Sequence, residues 1–282
     1  MPDGHEIAAA LTVAGSDSGG GAGVQADLRT FSALGVFGCS AITALTSQSP
    51  LEVRRVDAAP VKAVSAQIET VAAAIDIRAV KTGMLFSSAI VRAVAESISK
   101  LGVPLVVDPV AVSTSGSRLL KPDAVSAMKS KLLPLASWLT PNLPEASLLL
   151  GREIASEREM FEAAVECERR WGCATVIKGG HFKGSAKHSI DIVCHKGELY
   201  KLSSPKAAVK RHSDHGTGCT FSAALAALLA KGLPWTDALL GAKSFVFSSL
   251  ASPVRLSSKA YAMFPPRCPQ GVANGVSLER VK

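Results

Sequence analysis

A glycine-rich turn that ends in a cysteine and a threonine is the part of this 282-residue sequence best suited to carry out chemistry. It comprises Gly216, Thr217, Gly218, Cys219 and Thr220. The turn precedes the apolar run Phe221–Leu229, which is typical of a buried helix. The free N–H groups of a first helical turn and the positive end of the helix dipole form a site for an anion. Such a site fits a phosphoryl group in transfer, so we expect the first four residues of the turn to be catalytic.

The thiol of Cys219 would lie in the first turn of this helix. A helix N-terminus favours the thiolate, so we expect the pKa of Cys219 to fall below its usual value of about 8.5. A thiolate beside an anion site can accept the proton that an alcohol loses on phosphorylation. The alternative is a simple helix N-terminus that carries a buried cysteine.

Two further segments offer oxygen ligands for a divalent cation. Asn142 and Glu145 stand three residues apart at a predicted helix start, and Asp108 ends a predicted strand just before Pro109. Carboxylate and amide oxygens suit Mg²⁺, so we expect Asp108 and Glu145 to bind the metal. The alternatives are a capping box, with Asn142 as N-cap and Glu145 at the third helical position, and a plain turn at Asp108.

A glycine run at residues 15–23 follows the first predicted strand and leads into a helix that starts at about Ala22. It lets the backbone approach a ligand closely. It is not a P-loop, because no Lys-Ser/Thr pair follows, and Val24 occupies the last glycine position of a dinucleotide-binding motif. A tight strand-to-helix turn remains the alternative. Polar residues also follow other predicted strands, at 46–48, 81–84 and 178–180.

The elements that position these residues alternate between short apolar runs and longer segments with helical spacing. The predicted strands are Ala8–Ala14, Val36–Leu45, Ala79–Met84, Val103–Val107, Ser137–Leu139 and Ala174–Ile177. The predicted helices between them are Val24–Leu34, Val61–Ile75, Ser88–Leu101, Lys121–Leu133, Glu145–Leu150 and Glu157–Trp171. Strands that are apolar throughout and alternate with helices indicate an α/β fold whose parallel sheet is covered on both faces.

The second part of the chain follows another pattern. Asp191–His195 and Leu199–Ser203 are predicted to form an antiparallel hairpin, and Thr217–Lys231 and Trp235–Leu250 to form two long helices. We expect one domain over residues 1–264. The Pro/Gly-rich tail at 265–282 is expected to be loose or to lie over the surface.

Composition narrows the possible functions. The chain is 48% hydrophobic but has no apolar run of about 18 residues, so no membrane span is expected. The net charge of +8 comes from scattered basic residues and aromatic residues make up only 5%, which does not favour nucleic-acid binding. The six cysteines have no metal-site spacing. The first residues, which include Asp3 and Glu6, do not resemble a signal peptide, so we expect a cytoplasmic protein.

Taken together, the motifs resemble the hydroxymethylpyrimidine/phosphomethylpyrimidine kinase family of thiamin biosynthesis, within the ribokinase-like superfamily. The resemblance covers about Leu11 to Ser249. The matching segments are 14–27 (AGSDSGGGAGVQAD), 41–48 (AITALTSQ), 81–85 (KTGML), 107–110 (VDPV), 140–146 (TPNLPEA), 177–181 (IKGGH) and 215–220 (HGTGCT).

The resemblance implies a three-layer αβα fold with a central, mostly parallel sheet and helices on both faces. It implies ATP- and Mg²⁺-dependent phosphorylation of 4-amino-5-hydroxymethyl-2-methylpyrimidine and then of its monophosphate, by a homodimer. The implied pyrimidine-binding residues are Gly15, Asp27, Gln48, Met84 and Val110. The implied ligands of Mg²⁺ and the ATP phosphates are Asp108, Asn142, Glu145 and Lys178. Cys219 takes the place of an aspartate base, and Val193–Ser203 would lie beside the nucleotide.

Two positions depart from the family pattern. Asp214 stands where threonine is usual, and Ala111 stands where methionine is more typical. The first changes the charge near the phosphates, and the second is expected to loosen the pocket. The sequence leaves two alternatives open: a pyridoxal/pyridoxine kinase, and a sensor that binds the pyrimidine without phosphorylating it.

Overall fold

A single large sheet dominates the fold. The computed structural model describes residues 6–111, 120–180, 187–210, 212–266 and 271–281, and in these residues ten strands form one mixed sheet while two more form a small hairpin. The strands are β1 (Ala9–Asp17), β2 (Phe37–Gln48), β3 (Val53–Ala58), β4 (Ile77–Thr82), β5 (Leu105–Val107), β6 (Trp138–Leu139), β7 (Ala174–Ile177), β8 (His188–His195), β9 (Glu198–Pro205), β10 (Val254–Arg255), β11 (Tyr261–Ala262) and β12 (Ser277–Arg280). The order across the sheet is β12-β9-β8-β7-β6-β5-β4-β1-β2-β3, and β10 pairs with β11. The stretch from β7 to β2 is parallel, whereas β3 on one side and β8, β9 and β12 on the other pair antiparallel with their neighbours.

Helices cover both faces of this sheet. They are α1 (Gly23–Ala33), α2 (Val61–Ala74), α3 (Ser88–Ser99), α4 (Pro122–Ala127), α5 (Leu143–Leu150), α6 (Glu157–Trp171), α7 (Thr217–Ala230) and α8 (Trp235–Ala251). Helices α1, α7 and α8 pack on one face, and α2 to α6 pack on the other. The prediction of a three-layer αβα fold with a mostly parallel sheet is therefore confirmed.

The central strands are apolar because both of their faces are buried. In β1, Ala9 and Leu11 belong to one hydrophobic core, while Ala10 between them belongs to the core on the opposite face. The same alternation places Val106 and Val107 of β5 in different cores. A strand with two buried faces has no position for a solvated polar residue, which explains the continuous apolar runs.

The segment predicted as one helix, Lys121–Leu133, is divided in the structure. Helix α4 ends at Ala127, a π-helical turn follows at Met128–Leu132, and a 3₁₀ turn at Leu133–Leu135 ends the segment. Pro134 lies in that last turn, where proline removes a backbone donor and prevents a regular α-helix from continuing.

The expectation of an irregular tail is wrong for Ser277–Arg280. This segment is β12, which extends the sheet by pairing antiparallel with β9, from Ser277 opposite Ser203 to Arg280 opposite Tyr200. The strand pairs with backbone N–H and C=O groups of β9 that would otherwise form an unpaired sheet edge. The domain boundary at residue 264 stays a prediction.

The connections place a crevice beside β1. From β1 the chain passes to β2 on one side, and after β3 it crosses to β4 on the other side of β1. At such a switch point, the loops after neighbouring strands turn in opposite directions and leave room for a ligand. In the part of the chain that the structure describes, no helix combines the length and apolar composition needed to cross a membrane.

Candidate active site

A cavity of about 360 Å³ lies at the carboxyl ends of the parallel strands. The glycine run after β1, the ends of β2, β4 and β5, and the N-termini of α5 and α7 all contribute to its wall. Predicted site residues that line the cavity are Gly15, Gln48, Met84, Asp108, Val110, Asn142, Glu145, Lys178, Gly216, Thr217, Gly218 and Cys219. Residues that are far apart in the sequence therefore meet at one place.

Asp27 is the exception among the predicted site residues. Its side chain is fully buried and does not line the cavity. The carboxylate accepts hydrogen bonds from Lys81 Nζ at 2.7 and 2.9 Å and from Thr12 Oγ1 at 2.6 Å. Lys81 itself lines the cavity. Asp27 therefore lies behind the cavity wall, where it neutralises and orients Lys81; it does not line the cavity itself, and its role in pyrimidine binding stays a prediction.

Asp17 organises the glycine run. Its carboxylate accepts hydrogen bonds from the backbone N–H groups of Gly19, Gly21 and Ala22 at 2.8 to 3.1 Å, and its Oδ2 lies 3.0 Å from Nε2 of His215. Burial alone would raise the pKa of Asp17, but the hydrogen bonds from His215 and the backbone outweigh it and lower the pKa overall. Helix α1 then begins at Gly23, as the sequence predicted to within one residue.

His215 connects this first glycine run to the second. Its Nε2 atom also lies 3.2 Å from Nε2 of Gln48, and Gln48 Oε1 accepts a hydrogen bond from Thr46 at 3.2 Å. The amide of Gln48 is therefore held in a defined position at the cavity wall. A side chain fixed in this way loses little conformational freedom when it binds a ligand.

Gly216 packs against the backbone of the first glycine run. It precedes α7 with φ of 85°, in the left-handed region that residues with a side chain rarely adopt. A Cβ atom at this position would lie 1.9 Å from the carbonyl oxygen of Gly21. Both the backbone conformation and the close approach require glycine here. The first turn of α7 is thereby aimed into the cavity, as the motif predicted.

The expected low pKa of Cys219 is wrong. Burial in the cavity raises the pKa of the thiol to about 11, and the negative charges of Asp108 and Asp27 act in the same direction. The buried ammonium of Lys81 opposes this effect but does not outweigh it. Part of the residue's surface remains open to the cavity. Desolvation and the neighbouring carboxylates therefore outweigh the charge of Lys81 and the backbone hydrogen bond from Gly23.

The acidic residues predicted to bind a metal face the same cavity. Lys178 Nζ donates to Asp108 Oδ1 at 2.7 Å, and burial raises the pKa of Glu145 to about 7, with Lys178 opposing and Asp108 adding to the shift. The capping box is also present, because Glu145 N donates to Asn142 Oδ1 and Asn142 N donates to Glu145 Oε2. Glu145 thus caps the helix and still contributes charge to the cavity.

A second cavity, of about 340 Å³, adjoins the first. The two share Asn142, Lys178, Asp214, Thr217 and Gly218 as wall residues. The rest of its wall comes from the β8–β9 hairpin, α7 and α8, and it has an apolar part and a polar part. Its apolar side chains include Phe221, Val246, Phe247 and Leu250, and its polar ones include Ser189, Asp191 and Lys243. The anion-binding turn therefore lies at the junction of two cavities.

The two positions that depart from the family pattern have different locations. Asp214 lines both cavities, so its charge does act at their junction. Ala111 is buried and does not line the first cavity, and its backbone N–H donates a hydrogen bond to Glu145. The expectation that Ala111 loosens the pocket therefore finds no support in its position. His181 of the motif at 177–181 lies outside the described residues.

Sequence reasoning did not assign roles to Asp17, Lys81 and His215. Asp17 and His215 lie inside the two glycine-rich motifs. Those motifs were interpreted as backbone sites for a ligand, so no role was assigned to these two side chains. Lys81 follows an apolar run and carries no local sign that its partner is Asp27.

Comparison with known proteins assigns the family. The family model described as "Phosphomethylpyrimidine kinase" matches residues 17–263. A hydroxymethylpyrimidine/phosphomethylpyrimidine kinase of Rhizobium meliloti (strain 1021) is 47% identical over 250 residues, which cover 88% of this chain and 92% of that protein. These matches extend over nearly the whole described domain.

Solved structures agree in fold. A pyridoxal kinase from Staphylococcus aureus in complex with pyridoxal has a TM-score of 0.85 at 31% identity, covering 98% of this chain and all (100%) of that one. A phosphomethylpyrimidine kinase from Clostridium difficile 630 has a TM-score of 0.73 at 38% identity, covering 86% and 98%. The architecture is the ribokinase-like α/β fold, and the chain belongs to the phosphomethylpyrimidine kinase family.

Proposed function

We propose that this protein transfers the terminal phosphoryl group of ATP to the hydroxymethyl group of 4-amino-5-hydroxymethyl-2-methylpyrimidine, and then a second one to the resulting monophosphate. The observation that carries the proposal is the junction of two cavities at Thr217–Gly218, where the N-terminus of α7 can stabilise a phosphoryl group moving from one to the other. The curated relative at 47% identity carries this activity in its name.

The first cavity suits the pyrimidine. Gln48 can donate to and accept from the edge of an aminopyrimidine, and its amide is held by neighbouring side chains. Met84 and Val110 supply apolar surface for the faces of the ring. Gly15 allows this close packing, because a Cβ atom there would lie 2.7 Å from Cε of Met84.

The second cavity suits the nucleotide. Its apolar side chains offer a surface for a base, and Lys178 stands at the junction where the phosphates would lie. The β8–β9 hairpin borders this cavity through Ser189, Asp191 and Ser204, which flank the segment Val193–Ser203 that was expected beside the nucleotide. Solved relatives at 31–32% identity include a pyridoxal kinase with the ATP analogue AMP-PCP.

The residues present also fit Mg²⁺. Asp108 and Glu145 face the same cavity; burial is the main cause of the raised pKa of Glu145 and repulsion from Asp108 adds to it, and a cation between the two carboxylates would offset that repulsion. Among the described residues no group of three or more His, Cys, Asp or Glu side chains could hold a metal alone. Mg²⁺ is typically bound by one or two carboxylates together with substrate phosphates, so the donor set suits Mg·ATP. The ion would neutralise charge on the phosphates.

In the reaction, the hydroxyl oxygen of the substrate attacks the terminal phosphorus of ATP and the bond to the ADP oxygen breaks. The N–H groups at the start of α7 and the ammonium of Lys178 hold the negative charge of the group in transfer. The alcohol proton passes to the Cys219 thiolate. Because burial raises the pKa of this thiol to about 11, the thiolate is scarce at neutral pH and strongly basic when formed.

The test is product formation by the purified protein with Mg·ATP. The substrates are the hydroxymethylpyrimidine and, in parallel, pyridoxine, with products identified by mass. Monophosphate followed by diphosphate from the pyrimidine supports the proposal. Product from pyridoxine alone identifies a pyridoxine kinase instead, and tight pyrimidine binding without any product identifies a sensor.

Replacement of the proposed base gives a sharper test. We expect Cys219→Ala to lower kcat by about 10²–10³, the loss typical of one group acting on the transition state, while ADP binding is retained. A kcat equal to that of the wild type would exclude Cys219 as the proton acceptor. We further propose, on the family resemblance, a cytoplasmic homodimer; light scattering after size exclusion tests the dimer.

A further inference from the structure

A buried ion pair connects the wall of the second cavity to the active-site lysine. Lys243 Nζ on α8 donates to Asp191 Oδ2 on β8 at 2.7 Å and to Ser189 Oγ at 3.1 Å. The side chains of Lys243 and Asp191 are only 7% and 5% exposed. Two charges this deeply buried lose much of their hydration, and such a pair is often no more stabilising than an apolar substitute. Stability alone therefore does not account for this pair.

The other oxygen of Asp191 holds the backbone beside Lys178. Gly179 N donates to Asp191 Oδ1 at 2.9 Å in a buried position. The antiparallel register pairs Ile177 with Ile192, which places Asp191 beside the point where β7 ends and the chain turns through Lys178. The carboxylate thus accepts from Gly179 N–H and from Lys243 at once.

The turn is held tightly at this point. A Cβ atom on Gly179 would lie 2.0 Å from the carbonyl oxygen of Ile190, so the glycine backbone lies directly against β8. Lys178 N donates to Pro141 O at 2.8 Å on the opposite side. Between these anchors, the side chain of Lys178 reaches Asp108 at 2.7 Å. A shift of the turn would move the lysine ammonium relative to the phosphates.

We infer that Asp191 is a positioning residue for phosphoryl transfer: it holds Gly179 N–H so that Lys178 stays at the junction of the cavities, and the hydrogen bond from Lys243 keeps the carboxylate of Asp191 oriented. This inference rests on the proposed kinase function. Asp191 acts through the Lys178–Gly179 turn, and its loss should therefore affect the nucleotide and the transfer step while leaving the affinity for the pyrimidine unchanged.

The experiment compares two double variants that both lack the ion pair. Asp191→Asn/Lys243→Met retains a carbonyl oxygen that can accept from Gly179 N–H, whereas Asp191→Leu/Lys243→Met does not. Because Lys243→Met is common to both, the difference between them reports on the side chain at position 191, which lines the second cavity and in the asparagine variant can still accept from Gly179 N–H. We expect the leucine variant to show a roughly tenfold higher KM for ATP and a lower kcat than the asparagine variant, with equal pyrimidine KM.

A difference in melting temperature with identical kinetic constants would overturn the inference, because it would show a purely structural role. If the leucine variant does not fold, Asp191→Ala/Lys243→Met replaces it, with the same expected direction. The affinity for ADP, measured by calorimetry, provides a readout that needs no turnover: we expect binding roughly tenfold weaker without the acceptor. A wild-type protein that binds ADP but forms no product would refute the kinase function while the ADP comparison still tests Asp191.

Discussion

The reaction of Cys219 with a small neutral disulfide should be slow at neutral pH and accelerate with rising pH. Burial raises the pKa of this thiol from 9.0 to about 11. At about pH 7.5 the thiolate fraction is then roughly 0.03%, compared with roughly 3% for a thiol with the unshifted pKa. A more basic thiolate is also more nucleophilic, which offsets about tenfold of this hundredfold deficit. The net rate should therefore be about tenfold below that of an unburied thiol.

The assay follows modification by 2-hydroxyethyl disulfide between about pH 7 and pH 9.5, with the Cys219 peptide quantified by mass spectrometry. Restricted access lowers the rate at every pH but leaves the slope unchanged, so the slope is decisive: we expect about a tenfold increase per pH unit without a plateau. Cys219→Ser controls for other cysteines, and a free cysteine peptide is the internal reference. A plateau that begins below about pH 8.5 would refute the reasoning and would show that Lys81 and the helix N-terminus outweigh burial.

Three further predictions test the site and the residues that support it. Glu145→Gln retains the helix cap but removes a negative charge, so the Mg²⁺ concentration for half-maximal rate should rise about tenfold with little change in melting temperature. Gly216→Ala places a methyl group 1.9 Å from a backbone oxygen and should lower the free energy of unfolding by about 2–4 kcal/mol in urea titrations. Gly232→Ala, also at positive φ but in open space, should cost only about 1 kcal/mol, and equal losses would contradict the clash. Lys81→Met removes the ammonium partner of the buried Asp27 carboxylate and should cost about 3–5 kcal/mol, most of it recovered in Lys81→Met/Asp27→Asn; no recovery would contradict this account of the pair.

Much of the site could be predicted because its signals are local. A capping box needs only the four residues from Asn142 to Glu145, and the turn before α7 needs a glycine at 216 for its own backbone conformation. The alternation of buried strands with helices also follows from short segments, and it brings the carboxyl ends of parallel strands to one edge. The place of Asp108 and Lys178 in a common cavity therefore followed from the sequence.

The partners of charged groups could not be predicted in the same way. Asp27 pairs with Lys81 across 54 positions, and Asp191 pairs with Lys243 across 52. No local pattern distinguishes these residues from solvated charges, because a strand register and a helix packing angle decide which side chains meet. The family resemblance placed Asp27 among the pyrimidine-binding residues, whereas its side chain lies behind the cavity wall, paired with Lys81.

The sequence by itself determined the parallel α/β architecture, the glycine turns and the residues that surround the cavity, because periodicity and backbone conformation act over a few residues. Only the tertiary structure decided how these residues are charged. The helix N-terminus favours a thiolate at Cys219, but depth in the cavity and the nearby carboxylates of Asp108 and Asp27 reverse that preference. The pairing of Ser277–Arg280 with β9 also depends on the tertiary structure, because it joins two segments that are far apart in the sequence. Desolvation and long-range pairing depend on what the whole fold brings together, and a local pattern does not contain that information.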